Sequence, residues 1–229
     1  MATFQQQVEA LTGVTVSTLP TTGELSQFLK DGVMDVTNRC IEKDPREEMH
    51  FMAESSDQTV NGLNLSGAKI ISVVREANAS NQWEECRYVP PGSQYKVTDT
   101  ESLNYASIYN PAYTVLENGK ISVFPVPGAD PNQFKVYYVN NIPYNKDGSA
   151  LIHSDENIGI FPDDKVYLVV IYAAIKTLEL KMADFAVEEE DIEMVQAMTQ
   201  NLASLKQQYE SAFVSMYKDK RGYKDKRGR

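Results

Sequence analysis

The residues able to do chemistry are few and scattered along the 229-residue chain. His153 has Asp155 and Glu156 beside it, a combination that suits a general base or one arm of a metal site. No second His or Cys lies within ligand spacing, however, so a solvated loop is the simpler reading. His50 stands alone ahead of a strand-like segment. Cys40 falls on the apolar stripe of a helix and reads as a small buried hydrophobe, and with Cys86 it forms neither a disulfide framework nor a metal-ligand pattern. The run Glu188, Glu189, Glu190 and Asp191 lacks the glycine hinge and alternating ligands of a calcium loop, and reads as the charged start of a helix. No nucleophile elbow, zinc-protease helix, dinucleotide fingerprint or P-loop is present. The expectation is a protein with no catalytic residues, no metal and no cofactor.

Charge says more than any motif. The chain carries 22 Lys plus Arg against 32 Asp plus Glu, a net of −10. From Lys218 to Arg229 there are seven cations and two Asp, so a +5 tail follows a body of −15. An acidic body repels nucleic-acid phosphates and argues against a dedicated DNA- or RNA-binding protein. The longest apolar run, Val166 to Ile175, is ten residues, about half of what a bilayer span requires. No apolar segment follows Met1, so no signal peptide and no membrane partner are expected.

The elements that would position these groups follow from periodicity. Phe4, Val8 and Leu11 predict a short helix stopped by Gly13. Thr21 and Glu24 form a capping box that opens a helix with Leu25, Phe28, Leu29, Val33, Val36 and Cys40 on one stripe, ended by Asp44-Pro45. Residues 48–160 read as an antiparallel β insertion. In it, Ala68–Glu76 is paired with Trp83–Val89, a hairpin turns at Asn118-Gly119, and Phe134–Val139 is a further strand. Eight of the thirteen tyrosines lie between Tyr88 and Tyr144, which suits a thin sheet or an interface.

Two heptad seams then follow. Leu168, Ile171, Ile175, Leu178, Met182 and Phe185 define one helix; Val195, Met198, Leu202, Leu205, Tyr209, Ala212 and Met216 define its return. Together they predict an antiparallel helical hairpin with arms of roughly 35 and 42 Å. The tail repeats Tyr217-Lys-Asp-Lys-Arg-Gly222 as Tyr223-Lys-Asp-Lys-Arg-Gly228. It has no aliphatic residue and is expected to be a disordered or extended basic arm. Its anchors and cations, Tyr217, Lys218, Lys220, Arg221, Tyr223, Lys224, Lys226, Arg227 and Arg229, suit an acidic groove. The fold class is α+β: a helical bundle from residues 1–47 and 161–216, the β insertion at 48–160, and the arm at 217–229.

That order of elements, with Val8-Glu-Ala-Leu-Thr-Gly13, Leu29-Lys-Asp-Gly-Val33, Pro111-Ala-Tyr-Thr-Val115 running into Ile121-Ser-Val-Phe-Pro125, and Phe161-Pro-Asp-Asp-Lys-Val-Tyr-Leu168 leading into the helix to Ile175, resembles the head-to-tail adaptor (connector) proteins of tailed bacteriophages. The resemblance implies a ring, commonly of twelve subunits, beneath a portal in the virion neck, made in the host cytoplasm. It implies portal, tail and neighbouring neck proteins as partners, genome DNA passing transiently through the lumen, and a C-terminal segment reaching into the portal. Another neck protein would share the layout. The reading from a different class is a cytosolic α+β module whose tyrosine-rich insertion engages a protein or glycan.

Overall fold

The computed structural model describes residues 2–65, 67–77, 81–140, 142–188 and 192–225, without the side chains of residues 186–188, 192 and 217–225. The chain is α+β and divides into two compact units, one of Met1–Phe51 with Ile142–Arg229 and one of Met52–Asn141.

The first unit is helical. Helix α1 (Phe4–Thr12) is opened by a capping box in which Thr3 and Gln6 exchange bonds, and Gly13 closes it at φ 69°. Helix α2 (Thr22–Lys43) begins at the Thr21–Glu24 box and stops at Asp44, before Pro45. Helix α4 (Val166–Glu188) is the hub, packing against α1, α2 and α5 (Ile192–Asp225). Its Leu168, Val169, Ala173, Ala174 and Leu178 are fully buried, which accounts for apolar residues on more than one side of its first half. Gly32 lets α2 approach α4, since a Cβ there would lie 3.1 Å from the Tyr172 ring and 3.3 Å from Val169.

Residues 142–160 contain no strand and pack with the helices, so the β unit is shorter than the expected 48–160. The loop folds back because Leu151 and Ile158 are buried and because Asp155 and His153 carbonyls accept bonds from the amides of Phe4 and Gln5. Glu188 ends α4 and does not open the next helix; Glu189, Glu190 and Asp191 lie outside the described residues.

The second unit holds two four-stranded sheets. In the first, β1 (Met52–Glu54), β8 (Phe134–Val139), β3 (Lys69–Glu76) and β4 (Trp83–Glu85) lie in that order, all antiparallel, with a bulge in β3 between Ile70 and Ser72. In the second the order is β2 (Leu63–Asn64), β7 (Lys120–Phe124), β6 (Ala112–Val115) and β5 (Arg87–Tyr88). The expected hairpin is present: Asn118 and Gly119 take φ of 58° and 72° between β6 and β7.

Two expectations are corrected here. Trp83–Val89 is not one strand. At Cys86 the chain leaves the first sheet, and Arg87–Tyr88 joins the second, parallel to β6, so the β region is not wholly antiparallel. The buried Cys86 side chain drives the crossover, since it packs with Val73, Ile121, Val123, Phe134 and Val136 in the core shared by both sheets. Between β5 and β6 the short helix α3 (Gln94–Thr98) lies over a second, smaller core of Val89, Val97, Ala106 and Ala112.

Candidate functional site

The helical unit carries the features most suited to assembly, and α5 is central to them. Tyr172 faces Tyr209 at 6.1 Å between ring centroids, and Glu179 pairs with Lys206 at 2.8 Å, so the two helices run past each other in opposite directions. Of the expected seam, Leu168, Ile171, Ile175, Leu178, Leu205 and Tyr209 are buried, while Met182, Phe185, Val195, Met198, Leu202 and Met216 are half-buried. Phe213, which a strict heptad count passes over in favour of Ala212, is buried at 4% exposure. Counted from Tyr209, Phe213 lies about 40° around the helix and Ala212 about 60°, so the buried stripe continues through Phe213.

One polar cluster fixes α5 to α2. The Tyr209 hydroxyl donates to Asp35 at 2.5 Å, and Arg39 pairs with Asp35 at 2.9 Å and with Glu210 at 2.7 Å. The Arg39 guanidinium also stands over the Tyr209 and Phe213 rings, 5.1 and 5.5 Å from their centroids. Burial, then the bond to Asp35, raise the Tyr209 hydroxyl far above the ordinary tyrosine range. For Arg39, burial pulls downward, but the bond it donates to Glu210 and the charge of Asp35 outweigh it and its pKa rises.

On the other flank of α5 a groove of about 400 Å³ opens between α1, α4 and α5, with Val170 and Ile171 in its lining and Leu11, Tyr167 and Gln208 at its sides. Leu11 is 39% exposed and Tyr167 47%, although Phe4 and Val8 of the same α1 stripe are fully buried. The Asn201 amide donates to the Leu11 carbonyl at 3.0 Å and fixes this flank as the α1 side. Val214 is 59% exposed and lies about 140° around the helix from the buried Tyr209, so it faces away from the seam. Met34 on α2 is also partly exposed. One unit therefore bears an apolar groove on its α1 flank and exposed apolar side chains outside it.

Charge adds an asymmetry. Without residues 217–229 the helical unit has 21 acidic and 9 basic residues, a net of −12. The +5 segment begins within α5, whose backbone stays helical to Asp225, so the segment is not extended up to that point. Lys218, Lys220, Arg221 and Lys224 are good helix formers there, and no proline interrupts them. The side chains of Tyr217, Lys218, Lys220, Arg221, Tyr223 and Lys224, and the whole of Lys226, Arg227 and Arg229, lie outside what the structure describes.

The chemistry-bearing residues serve the fold. The structure brings Ser26, His153 and Asp155 into one neighbourhood, which the sequence does not announce. Ser26 Oγ donates to the Thr22 carbonyl at 2.7 Å and accepts from the His153 amide at 3.0 Å, with His153 Nδ1 at 3.3 Å. Asp155 accepts from Asn145 Nδ2 and from the Ile152 amide. These groups clasp the 142–160 loop to α1 and α2, leaving the hydroxyl committed to backbone. Cys40 is fully buried, and burial pushes the Cys86 thiol up to about 12. Among the described residues no group of three or more His, Cys, Asp or Glu is arranged to hold a metal, and no helix is long and apolar enough to cross a membrane.

In comparison with known proteins, no family model and no curated protein matches the chain.

Proposed function

We propose that the chain is a structural, non-enzymatic virion component: a head-to-tail adaptor whose copies form a ring between portal and tail. The observation that carries this reading is the apolar surface of the helical unit, with the Leu11–Tyr167 groove on the α1 flank and Val214 and Met34 exposed outside it. A closed ring needs a heterologous contact, in which one patch meets a different patch of the next copy. The groove receives exposed apolar side chains of the next copy, Val214 among them, and repetition closes the ring, of twelve copies by family resemblance.

The remaining features support the same assignment. The α4–α5 pair forms the wall, and a −12 helical unit gives a lumen past which duplex DNA slides without adhering. The β unit is left to meet tail and neck proteins. The Tyr217–Arg229 segment, at the free end of α5, is the arm that enters an acidic portal groove, and the site of action is the virion neck. Leu11→Asp in the groove and Val214→Asp outside it test the ring. Each side chain is exposed, so each variant keeps the wild-type melting temperature and yields monomers in native mass spectrometry. Rings that persist in both variants would refute this interface. Deletion of residues 217–229 leaves the fold intact and weakens attachment to portal rings; unchanged attachment would refute the arm.

A further inference from the structure

The β unit holds a cleft that ring assembly does not use. It has a volume of about 320 Å³ and lies where the chain crosses between sheets, lined by Ser72, Glu85, Cys86, Arg87, Tyr88 and Tyr113 among others. The Tyr88 and Tyr113 rings meet edge to face at 5.5 Å, and Tyr88 is 55% exposed, so much of its side chain is open to a ligand. Ser72 Oγ donates to Glu85 at 3.4 Å, which leaves the second carboxylate oxygen of Glu85 open on the exposed side. Arg87 gives Nη2 to the Asn104 carbonyl, while its buried Nε has no hydrogen-bond partner among the described residues.

Several ligand classes are excluded by these same groups. Thiol chemistry has no nucleophile here: burial, against the pull of Arg75 and with Glu85 adding to it, holds Cys86 protonated. An anion meets Glu85, and a cation meets Arg87, so the cleft's two formal charges cancel and favour neither. Burial, with Tyr88, Cys86 and Glu85 nearby, raises the Tyr113 hydroxyl above its ordinary value, a sign that negative charge is unwelcome. What remains is an exposed aromatic side chain beside an acceptor-only carboxylate, a donor-only guanidinium and hydroxyls that do both. We propose that this cleft binds a neutral carbohydrate, with a sugar ring stacked on Tyr88 and its hydroxyls shared between Glu85, Ser72 and Arg87. The inference stands apart from the adaptor reading, because it concerns only the β unit and is scored per chain whatever the oligomeric state.

The test uses the full chain, calorimetric titration and hydrogen-exchange mass spectrometry. The probes are neutral trisaccharides of glucose, galactose and mannose, with a trigalacturonate and a trilysine as charged controls. A neutral trisaccharide is expected to bind and to protect the segments around residues 84–89 and 112–115. Tyr88→Ala weakens that binding about three- to ten-fold, as loss of an aromatic contact should. Tyr88→Phe keeps it, and Tyr95→Ala, an exposed tyrosine that does not line the cleft, leaves it unchanged. Binding of only the charged probes, no protection by any neutral sugar, or wild-type binding in Tyr88→Ala would each overturn the proposal.

Discussion

Replacing Tyr209 with Phe removes one hydroxyl from the cluster that fixes α5, and the structure gives the size of the effect. The hydroxyl donates to Asp35, an ionised acceptor, at 2.5 Å, and such bonds contribute about 1.5–3 kcal/mol. Asp35 keeps Arg39 at 2.9 Å after the change, which puts the loss at the low end, about 1.5 kcal/mol. For a chain of this length that is a fall in melting temperature of roughly 3–6 °C. Tyr209→Ala also removes a ring 4% exposed and packed on Phe213 at 5.2 Å, so it costs about 4–5 kcal/mol. Far-ultraviolet circular dichroism, dominated by the helices, follows both melts at fixed protein concentration. Alkaline pH supplies a second readout. The folded Tyr209 pKa is raised, so its contribution is complete below the ordinary tyrosine value near pH 10 and falls as pH climbs beyond it. Phe cannot ionise, so the gap between wild type and Tyr209→Phe narrows above about pH 10. A wild-type melt for Tyr209→Phe, or a loss under about 2 kcal/mol for Tyr209→Ala, would refute the claim that this cluster anchors α5.

Other substitutions probe the rest of the frame. Arg75 is 2% exposed and donates to the Pro125 carbonyl at 3.1 Å, the Glu76 carbonyl at 2.6 Å and Asn132 Oδ1 at 3.2 Å. Arg75→Met leaves these acceptors unpaired and destabilises the β unit by about 3 kcal/mol, read from urea unfolding by the fluorescence of the single tryptophan, Trp83 on β4. A Cβ on Gly159 would sit 2.5 Å from Tyr144 ring carbons and 2.6 Å from the Asn145 carbonyl oxygen, so Gly159→Ala costs at least ~2 kcal/mol in a thermal melt. Both cysteines are buried, so a disulfide-exchange dye labels neither in the folded chain at mildly alkaline pH and both after denaturation. Rapid labelling of native Cys86 would contradict its placement between the sheets.

Local signals in the sequence account for much of this fold. The Thr21–Glu24 box, the Gly13 stop, the Asp44-Pro45 break and the Asn118-Gly119 turn each act within a few residues, and each appears where the pattern puts it. What stayed hidden depends on partners distant in the chain. The exit of Cys86 from one sheet into the other is decided by a core drawn from β3, β7 and β8. The burial of Arg75 is decided by acceptors some 50 residues away. The 142–160 loop fell within the bounds expected for the β insertion, yet its amide partners are in α1 and α2. The candidate surface was half visible. Leu11 completes the α1 stripe in the sequence, and only packing reveals that Phe4 and Val8 are covered while Leu11 is left over. Val214 has no such signal beyond being an aliphatic residue outside the seam.

The most direct test of the adaptor account is the mass and shape of the assembly, by sedimentation velocity and negative-stain imaging of the full chain alone and with portal rings. The account expects closed rings of one size, on the portal if not before it, that disappear with Leu11→Asp. A chain that stays monomeric in both conditions would contradict it.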